Sequence, residues 1–283
     1  MRPLWHQALD GQIEKLFEKG NHREALRLFG QHRESLAEGA APKLLQNVGN
    51  SYLALGFPDP AVRYFQAAWQ GGAQGAPALV LSWAEALFGQ GKAAEAASLV
   101  QSLLDRSAGT TPVQQGRALR LLVRCLAQQR LYLEAYKTME AASRRNPRWE
   151  QDPENRYLQG MVCSEIPGLG QKALPALRQA AAAGLDPGRT ALAYEKMGDL
   201  YFGDKQYEEA WQVYYQALRR RPEAKGTYLA KKLTQCRLLV EERRPGSSPG
   251  KGTAEADPFW KKLYEHRSAQ QKLEKNLSEL RLK

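Results

Sequence analysis

One segment, residues 196–222, constrains the fold of this chain most strongly, because its apolar residues follow the period of a helix twice in succession. It reads KMGDLYFGDKQYEEAWQVYYQALRRRP. Residues at helical spacing around its first half are Tyr194, Met197, Gly198 and Tyr201, and those of its second half are Ala210, Val213, Tyr214 and Ala217. GDKQ separates the two sets, and Pro222 follows the second. This pattern predicts two helices joined by a tight turn, the second stopped by Pro222.

Small residues occupy several of these apolar positions, and we interpret them as points where helices approach closely. Gly198 and Ala210 would let the two antiparallel helices come together, and Ala217 would do the same for the next helix along the chain. The large side chains would fill the spaces between those contacts.

The same arrangement recurs upstream at intervals of about 35–40 residues. Residues in register are Leu45, Gly49, Tyr52, Ala61, Phe65 and Ala68, then Val80, Ala84, Leu87, Ala96 and Val100, then Leu119, Val123, Leu126, Ala135, Met139 and Ala142. The first unit is weaker, since Ile13 replaces the small residue. The fifth, around Gly160, deviates most: SEIPGLGQK disturbs its turn, Pro175 falls in the first turn of its second helix, and Pro187 ends that helix. We count roughly six helix pairs over residues 4–222.

This pattern resembles that of the tetratricopeptide repeat (TPR) family over about three quarters of the chain. The resemblance implies an all-α, right-handed solenoid of about six helix pairs, in which stacked repeats share one continuous core. We assign residues 1–242 to it, with 223–242 as a capping helix. The apolar residues that would cover the last pair are Tyr228, Leu229, Leu233, Leu238 and Leu239.

Beyond this unit the composition changes. Residues 243–258 are rich in proline, glycine and polar residues, which predicts a flexible linker. Residues 259–283 predict a tethered amphipathic C-terminal helix. Its aromatic and aliphatic cluster consists of Phe259, Trp260, Leu263 and Tyr264. This cluster would either fold back onto the solenoid or present a surface to a partner, and the sequence leaves both open.

Composition restricts the class of protein. The 283 residues contain no continuous apolar run that predicts a signal peptide or a transmembrane span. Cys125, Cys163 and Cys236 are far apart and form no CxxC pair, so we expect buried core cysteines in a reducing compartment and a cytoplasmic protein. The formal net charge of +11 suits acidic partners.

No catalytic constellation is recognisable in the sequence. The four histidines, His6, His22, His32 and His266, form no HExxH motif, and none has a plausible cysteine or serine partner nearby. PGLGQKA around Gly168 lacks the third glycine and the preceding strand of a phosphate-binding loop. We therefore predict a non-enzymatic protein without a metal or cofactor.

A binding surface is implied by the TPR resemblance, in which the first helix of each pair lines a concave groove. The residues that this implies are Lys43, Gln46, Asn50, Leu81, Glu85, Phe88, Arg117, Arg120, Arg124, Tyr157 and Met161. Arg117, Arg120 and Arg124 share one helical face, and arginines at such spacing can hold carboxylates. The expectation is a protein or peptide partner of acidic character, bound to a scaffold or adaptor. A merely solvated charged face stays open.

A second basic region offers an alternative function, that of an adaptor for nucleic acid or an anionic membrane surface through residues 219–251. Its basic residues include Arg219, Arg220, Arg221, Lys231, Lys232, Arg237, Arg243 and Arg244. The favourable interaction of cations with helix C-termini explains Arg219, Arg220 and Arg221 equally well. The tyrosines mostly occupy core positions, which disfavours RNA binding by stacking.

Overall fold

The computed structural model describes residues 4–32, 40–106, 109–221 and 228–243. Within these ranges the chain forms α-helices and one short 3-10 helix, without a strand. In chain order the helices are α1 (Leu4–Glu18), α2 (His22–Gln31), α3 (Pro42–Ala54), α4 (Pro58–Gln70), α5 (Pro77–Gly89), α6 (Ala93–Arg106), α7 (Pro112–Gln128), α8 (Tyr132–Arg145), the 3-10 helix (Pro147–Gln151), α9 (Pro153–Ser164), α10 (Gly170–Ala182), α11 (Pro187–Gly203), α12 (Tyr207–Arg220) and α13 (Tyr228–Arg243).

The helices pack as six consecutive pairs, from α1–α2 to α11–α12, with α13 against α12. First helices of neighbouring pairs also contact one another, so α1, α3, α5, α7, α9 and α11 form a layer. No pair could bury its apolar face alone, and the stacking supplies the missing partner. The predicted all-α solenoid of helix pairs is confirmed.

Three of the six pairs show a close contact between a glycine of the first helix and a large residue of the second helix. A Cβ on Gly49 would lie 2.6 Å from a ring carbon of Phe65, inside van der Waals contact. Side chains at Gly160 and Gly198 would overlap Leu177 and Tyr214 in the same way. Phe65, Leu177 and Tyr214 are all buried. Only glycine permits these approaches, which explains the small residues in the repeat.

The pairs at Ile13 and Gly160 depart from this rule in different ways. Ile13 is buried with Phe29, so the first pair accepts a large residue at the contact. In the fifth pair Gly160 meets Leu177, which lies one residue further along the chain than Phe65 does from Gly49. The extra residue is accommodated in the turn between Ser164 and Gly170, as the deviant sequence there predicted.

Five of the six turns inside the pairs close in the same way. A residue in the left-handed conformation follows the first helix, and the next N–H donates to a carbonyl five residues back, as in Leu131 to Leu126 at 2.9 Å. This is the Schellman arrangement that ends many helices. The left-handed residues are Gly20, Gly56, Gly91, Arg130 and Lys205. Arg130 and Lys205 therefore occupy a conformation that favours glycine.

The sequence-based placement of two prolines is wrong. Pro175 lies inside α10, the helix that begins at Gly170, and not in its first turn. Pro187 does not end α10, which already stops at Ala182, but is the first residue of α11. Proline suits that first position because its missing N–H would have had no intrahelical acceptor there.

The capping helix is present as α13, but two of its predicted contact residues are wrong. Leu229 and Leu233 are buried against the last pair, and Cys236 joins them one turn further on. Tyr228 and Leu238 are instead 67% and 51% exposed, because they lie off the face that Leu229, Leu233 and Cys236 share. The predicted linker (243–258) and the predicted C-terminal helix (259–283) lie outside the described residues, apart from Arg243 at the end of α13.

We expect Gly198→Ala to lower the free energy of unfolding by about 1–3 kcal/mol, because the added methyl group overlaps the buried ring of Tyr214. Gly116→Ala is the matched control: Gly116 lies inside α7 with no heavy atom within 4 Å of an added Cβ. That change should stabilise by about 0.5–1 kcal/mol through helix propensity. Urea unfolding followed by circular dichroism measures both. Equal effects would show that the glycine contact does not govern pairing.

A second prediction concerns the strained turn residue Lys205, whose φ is 60°. We expect Lys205→Gly to raise the free energy of unfolding by about 0.5–1 kcal/mol, since glycine adopts this conformation without a steric cost. Lys137→Gly, at an exposed position inside α8, should instead lower it by about 1 kcal/mol. Thermal melts of both variants check the pair. A loss of stability in both would contradict the interpretation.

Candidate peptide-binding surface

The predicted binding residues lie on α3, α5, α7 and α9, which are neighbours in the layer of first helices. We call their solvent-accessible part the first-helix surface. It is formed by Lys43, Gln46, Asn50, Glu85, Phe88, Arg117, Arg120, Arg124, Tyr157 and Met161, all of them partly or fully exposed.

Leu81 does not belong to this surface, which corrects the sequence-based assignment. Its side chain is 1% exposed and packs in the central core together with Leu121. The reason is that α5 is apolar on most of its circumference, since neighbouring pairs enclose it on several sides. No partner can reach Leu81 without unpacking the core.

Arg117 forms a two-pronged ion pair with Glu85 of the preceding pair. Its Nε donates to one carboxylate oxygen at 2.9 Å and its Nη2 to the other at 2.6 Å. The hydrogen bond with Glu85 raises the pKa of Arg117. The fork geometry that the sequence offered to a partner is therefore already satisfied within the chain.

Arg120 forms an ion pair with Asp152 of the following helix pair. Its Nη1 donates to Asp152 at 2.6 Å. The other carboxylate oxygen of Asp152 accepts the N–H of Glu154 at 2.8 Å and so caps α9. Arg120 thus holds the start of α9 in place and has a structural role.

Arg124 differs from Arg117 and Arg120 in its contacts. Its guanidinium lies over the ring of Phe88, 4.5 Å from the ring centroid. Among the described residues it forms no ion pair. The three arginines of this helical face therefore differ: two are engaged with carboxylates, and one is held on an aromatic ring.

Ion pairs between neighbouring pairs continue along the rest of the layer. Lys43 pairs with Glu14, Arg189 with Glu154, Lys196 with Glu165 and Lys232 with Asp199. Asp199 also accepts the hydroxyl of the buried Tyr214 at 2.7 Å. Most of these charges are partly exposed, so each pair adds little stability. Their consequence is to neutralise charge on this surface.

Sequence reasoning missed these pairings, although a signal was present. Partners such as Arg117 and Glu85, or Lys232 and Asp199, are separated by 31 to 35 residues, which is about one repeat. Opposite charges one repeat apart on first helices would have predicted them.

One expectation about histidine is wrong. His22 has a serine partner after all, since its Nδ1 lies 3.3 Å from Ser51 Oγ across the boundary between the first two pairs. Ser51 is 1% exposed, so no substrate can reach its hydroxyl. The contact joins two repeats and gives no accessible nucleophile.

The three cysteines are free and buried, as predicted for core residues. Burial raises the pKa of Cys125, Cys163 and Cys236 to about 11. Within the described ranges, no group of three or more His, Cys, Asp and Glu residues is arranged to hold a metal ion. Across the same residues, no helix is long and apolar enough to cross a membrane.

The alternative basic region is partly engaged within the protein. Arg220 lies over the ring of Tyr194, 4.6 Å from its centroid, and Lys232 is bound to Asp199. Arg219 and Lys231 are exposed. Most of 241–251, with the side chains of Arg243 and Arg244, lies outside what the structure describes. So does the cluster of Phe259, Trp260, Leu263 and Tyr264.

Comparison with known proteins supports the fold. No family model matches the sequence, and no curated protein matches it. Among solved structures, a tetratricopeptide repeat protein from Parabacteroides merdae is 15% identical, with a TM-score of 0.59 over 85% of this chain and 94% of that one.

Two further solved structures are similar. The APC/C hetero-tetramer Cut9–Hcn1 gives 18% identity and a TM-score of 0.59 over 83% of this chain and 43% of that one. YrrB is described as a TPR protein with an unusual peptide-binding site. Its sequence is 19% identical, and its TM-score is 0.52 over 72% of this chain and 97% of that one. At such identities the shared property is the fold.

The raised thiol pKa values predict poor reactivity. At pH 8 the fraction of thiolate in the folded protein should be on the order of a hundredfold below that of an unperturbed thiol, and burial blocks access as well. We expect a chromogenic disulfide reagent to label none of the three cysteines in the native protein and all three in urea. Rapid labelling of the native protein would contradict their placement in the core.

Proposed function

Because the described part of the chain is a TPR-type solenoid, we propose that the protein is a non-enzymatic interaction scaffold that binds a carboxylate-bearing segment of a partner protein on its first-helix surface. The proposal rests on the observation that Arg124 lies over the ring of Phe88 and, among the described residues, forms no ion pair. A partner's carboxylate binds this arginine, and the rest of the segment lies along the neighbouring first helices.

Arg124 is suited to this role because its charge is not already used. A guanidinium that lies on an aromatic ring keeps the N–H donors at its edges. The contact with Phe88 restricts the side chain beforehand, so less conformational entropy is lost on binding. At Arg117 or Arg120 a partner would first have to displace Glu85 or Asp152.

The surroundings of Arg124 suit a peptide. Helix α7 lies between α5 and α9, which carry the partly buried aromatic residues Phe88 and Tyr157. The ring of Phe88 offers apolar contact beside the charge, and Tyr157 offers a second ring on the neighbouring first helix. The amide side chains of Gln46 and Asn50 on α3 can bond a peptide backbone. The peptide-binding site of YrrB is a precedent within this fold.

The net charge of +11 over the whole chain favours an acidic partner and speeds its encounter with the protein. The proposal places the protein in a reducing compartment, the cytoplasm, since its three cysteines are free and buried.

The test uses random peptides displayed on phage and selected on the immobilised full-length protein. We expect enrichment of peptides that contain Asp or Glu or expose a C-terminal carboxylate. Binding of a synthetic selected peptide, measured by fluorescence anisotropy, should weaken about tenfold or more in Arg124→Gln. This corresponds to the loss of a hydrogen bond to a charged group.

Arg117→Gln is the matched control, because Arg117 lies two turns away on the same helix face but is paired with Glu85. Its effect on affinity should stay below about threefold. Equal losses in Arg117→Gln and Arg124→Gln would contradict a special role for Arg124. Selected peptides whose affinity is unchanged by Arg124→Gln but falls when the exposed Arg219 and Lys231 are substituted would favour the basic adaptor instead.

A further inference from the structure

A polar cleft opens between the fourth and fifth helix pairs, where the 3-10 helix Pro147–Gln151 is inserted between α8 and α9. Its empty volume, open to solvent, is about 270 Å³. Residues that define its chemistry are Glu140 and Ser143 on α8, Trp149 and Glu150 on the 3-10 helix, and Asn155 and Gln159 on α9.

The cleft contains a buried acceptor without a donor. Asn155 is 4% exposed, and its Nδ2 donates to the carbonyl of Trp149 at 2.8 Å. This bond fixes the orientation of the amide and directs Oδ1 away from that carbonyl. Oδ1 has no hydrogen-bond partner among the described residues. Leaving a buried acceptor unpaired costs about 1–3 kcal/mol. Oδ1 is closed to solvent in the free protein, so a ligand that donates a hydrogen bond recovers this cost only when the side chains that line the cleft move aside.

The charges around the cleft favour a cation. Two carboxylates, those of Glu140 and Glu150, line it, and no lysine or arginine does. Glu140 accepts the hydroxyl of Tyr136 at 2.6 Å and has Arg144 3.5 Å away, and Lys172 bonds Tyr136 from α10. Arg156 of α9 donates to the backbone carbonyl of Glu150, and the Glu150 carboxylate forms no ion pair with any residue that the structure describes.

This cleft is separate from the first-helix surface. Asn155 and Gln159 lie one turn apart on α9. Tyr157 and Met161 each follow them by two residues, which is about 200° around a helix with 3.6 residues per turn. The two sets therefore lie on opposite faces of α9. A ligand in the cleft would leave the surface around Arg124 accessible.

We propose that this cleft binds the guanidinium group of an arginine side chain on a partner protein. A guanidinium carries five N–H donors and no acceptor, which matches an orphaned amide oxygen beside two carboxylates. Its positive charge is complementary to Glu140 and Glu150, which line the cleft. The cleft would therefore bind basic residues, whereas the first-helix surface is proposed to bind a carboxylate.

The test uses the full-length chain labelled with 5-fluorotryptophan, with Trp149 assigned through Trp149→Phe. Fluorine NMR would follow titration with N-acetyl-arginine amide. We expect a saturable shift of the Trp149 resonance with a Kd on the order of millimolar, as suits one side chain. N-acetyl-citrulline amide, the neutral isostere, is the matched ligand and should give no saturable shift.

Glu150→Gln is the decisive variant, because Glu150 is exposed and its change should leave the fold intact. It should weaken arginine binding at least threefold, whereas Glu134→Gln, exposed in the first turn of α8, should not. Asn155→Leu should abolish the shift if circular dichroism shows it folded. No saturable shift with arginine, or equal shifts with citrulline, would overturn the proposal and leave a cleft that holds only water.

Discussion

Close contact between the two helices of a pair is the constraint on which the rest of this structure depends. At Gly49, Gly160 and Gly198 the first helix presents bare backbone to a buried Phe, Leu or Tyr of the second. That approach sets how near the helices lie and hence how each pair presents its outer faces to the next. The stacked layers, the capping helix and the binding surface all follow from repeating it.

Between pairs, part of the contact is electrostatic, and this decides what remains for a partner. Each pair contributes charges one repeat apart, so that Arg117 meets Glu85 and Arg120 meets Asp152. Three arginines on one helix face consequently acquire different roles. Arg124 alone among them lies on an aromatic ring, and its position makes it the candidate anchor. In the folded chain these ion pairs leave the first-helix surface nearly neutral. Of its three arginines, only Arg124 is not paired with a carboxylate of the described residues.

Irregular connections create the second candidate site. The 3-10 helix is inserted between α8 and α9 and contacts both of them. Asn155 is buried there with one amide atom satisfied and the other not. The irregularity therefore provides polar chemistry on a face that the first-helix surface does not use.

The sequence by itself determined the fold, because small and large residues at helical spacing, repeated along the chain, allow few other ways to bury apolar surface. It also determined the helix that covers the last pair and the burial of the cysteines. It did not determine which side of α13 faces inward, that Leu81 is enclosed, or that His22 lies beside Ser51. Those depend on which residues of neighbouring repeats meet. Only the tertiary structure decided that Arg117 and Arg120 are paired and Arg124 is not, because ion pairing requires distances between helices that periodicity along one helix does not contain.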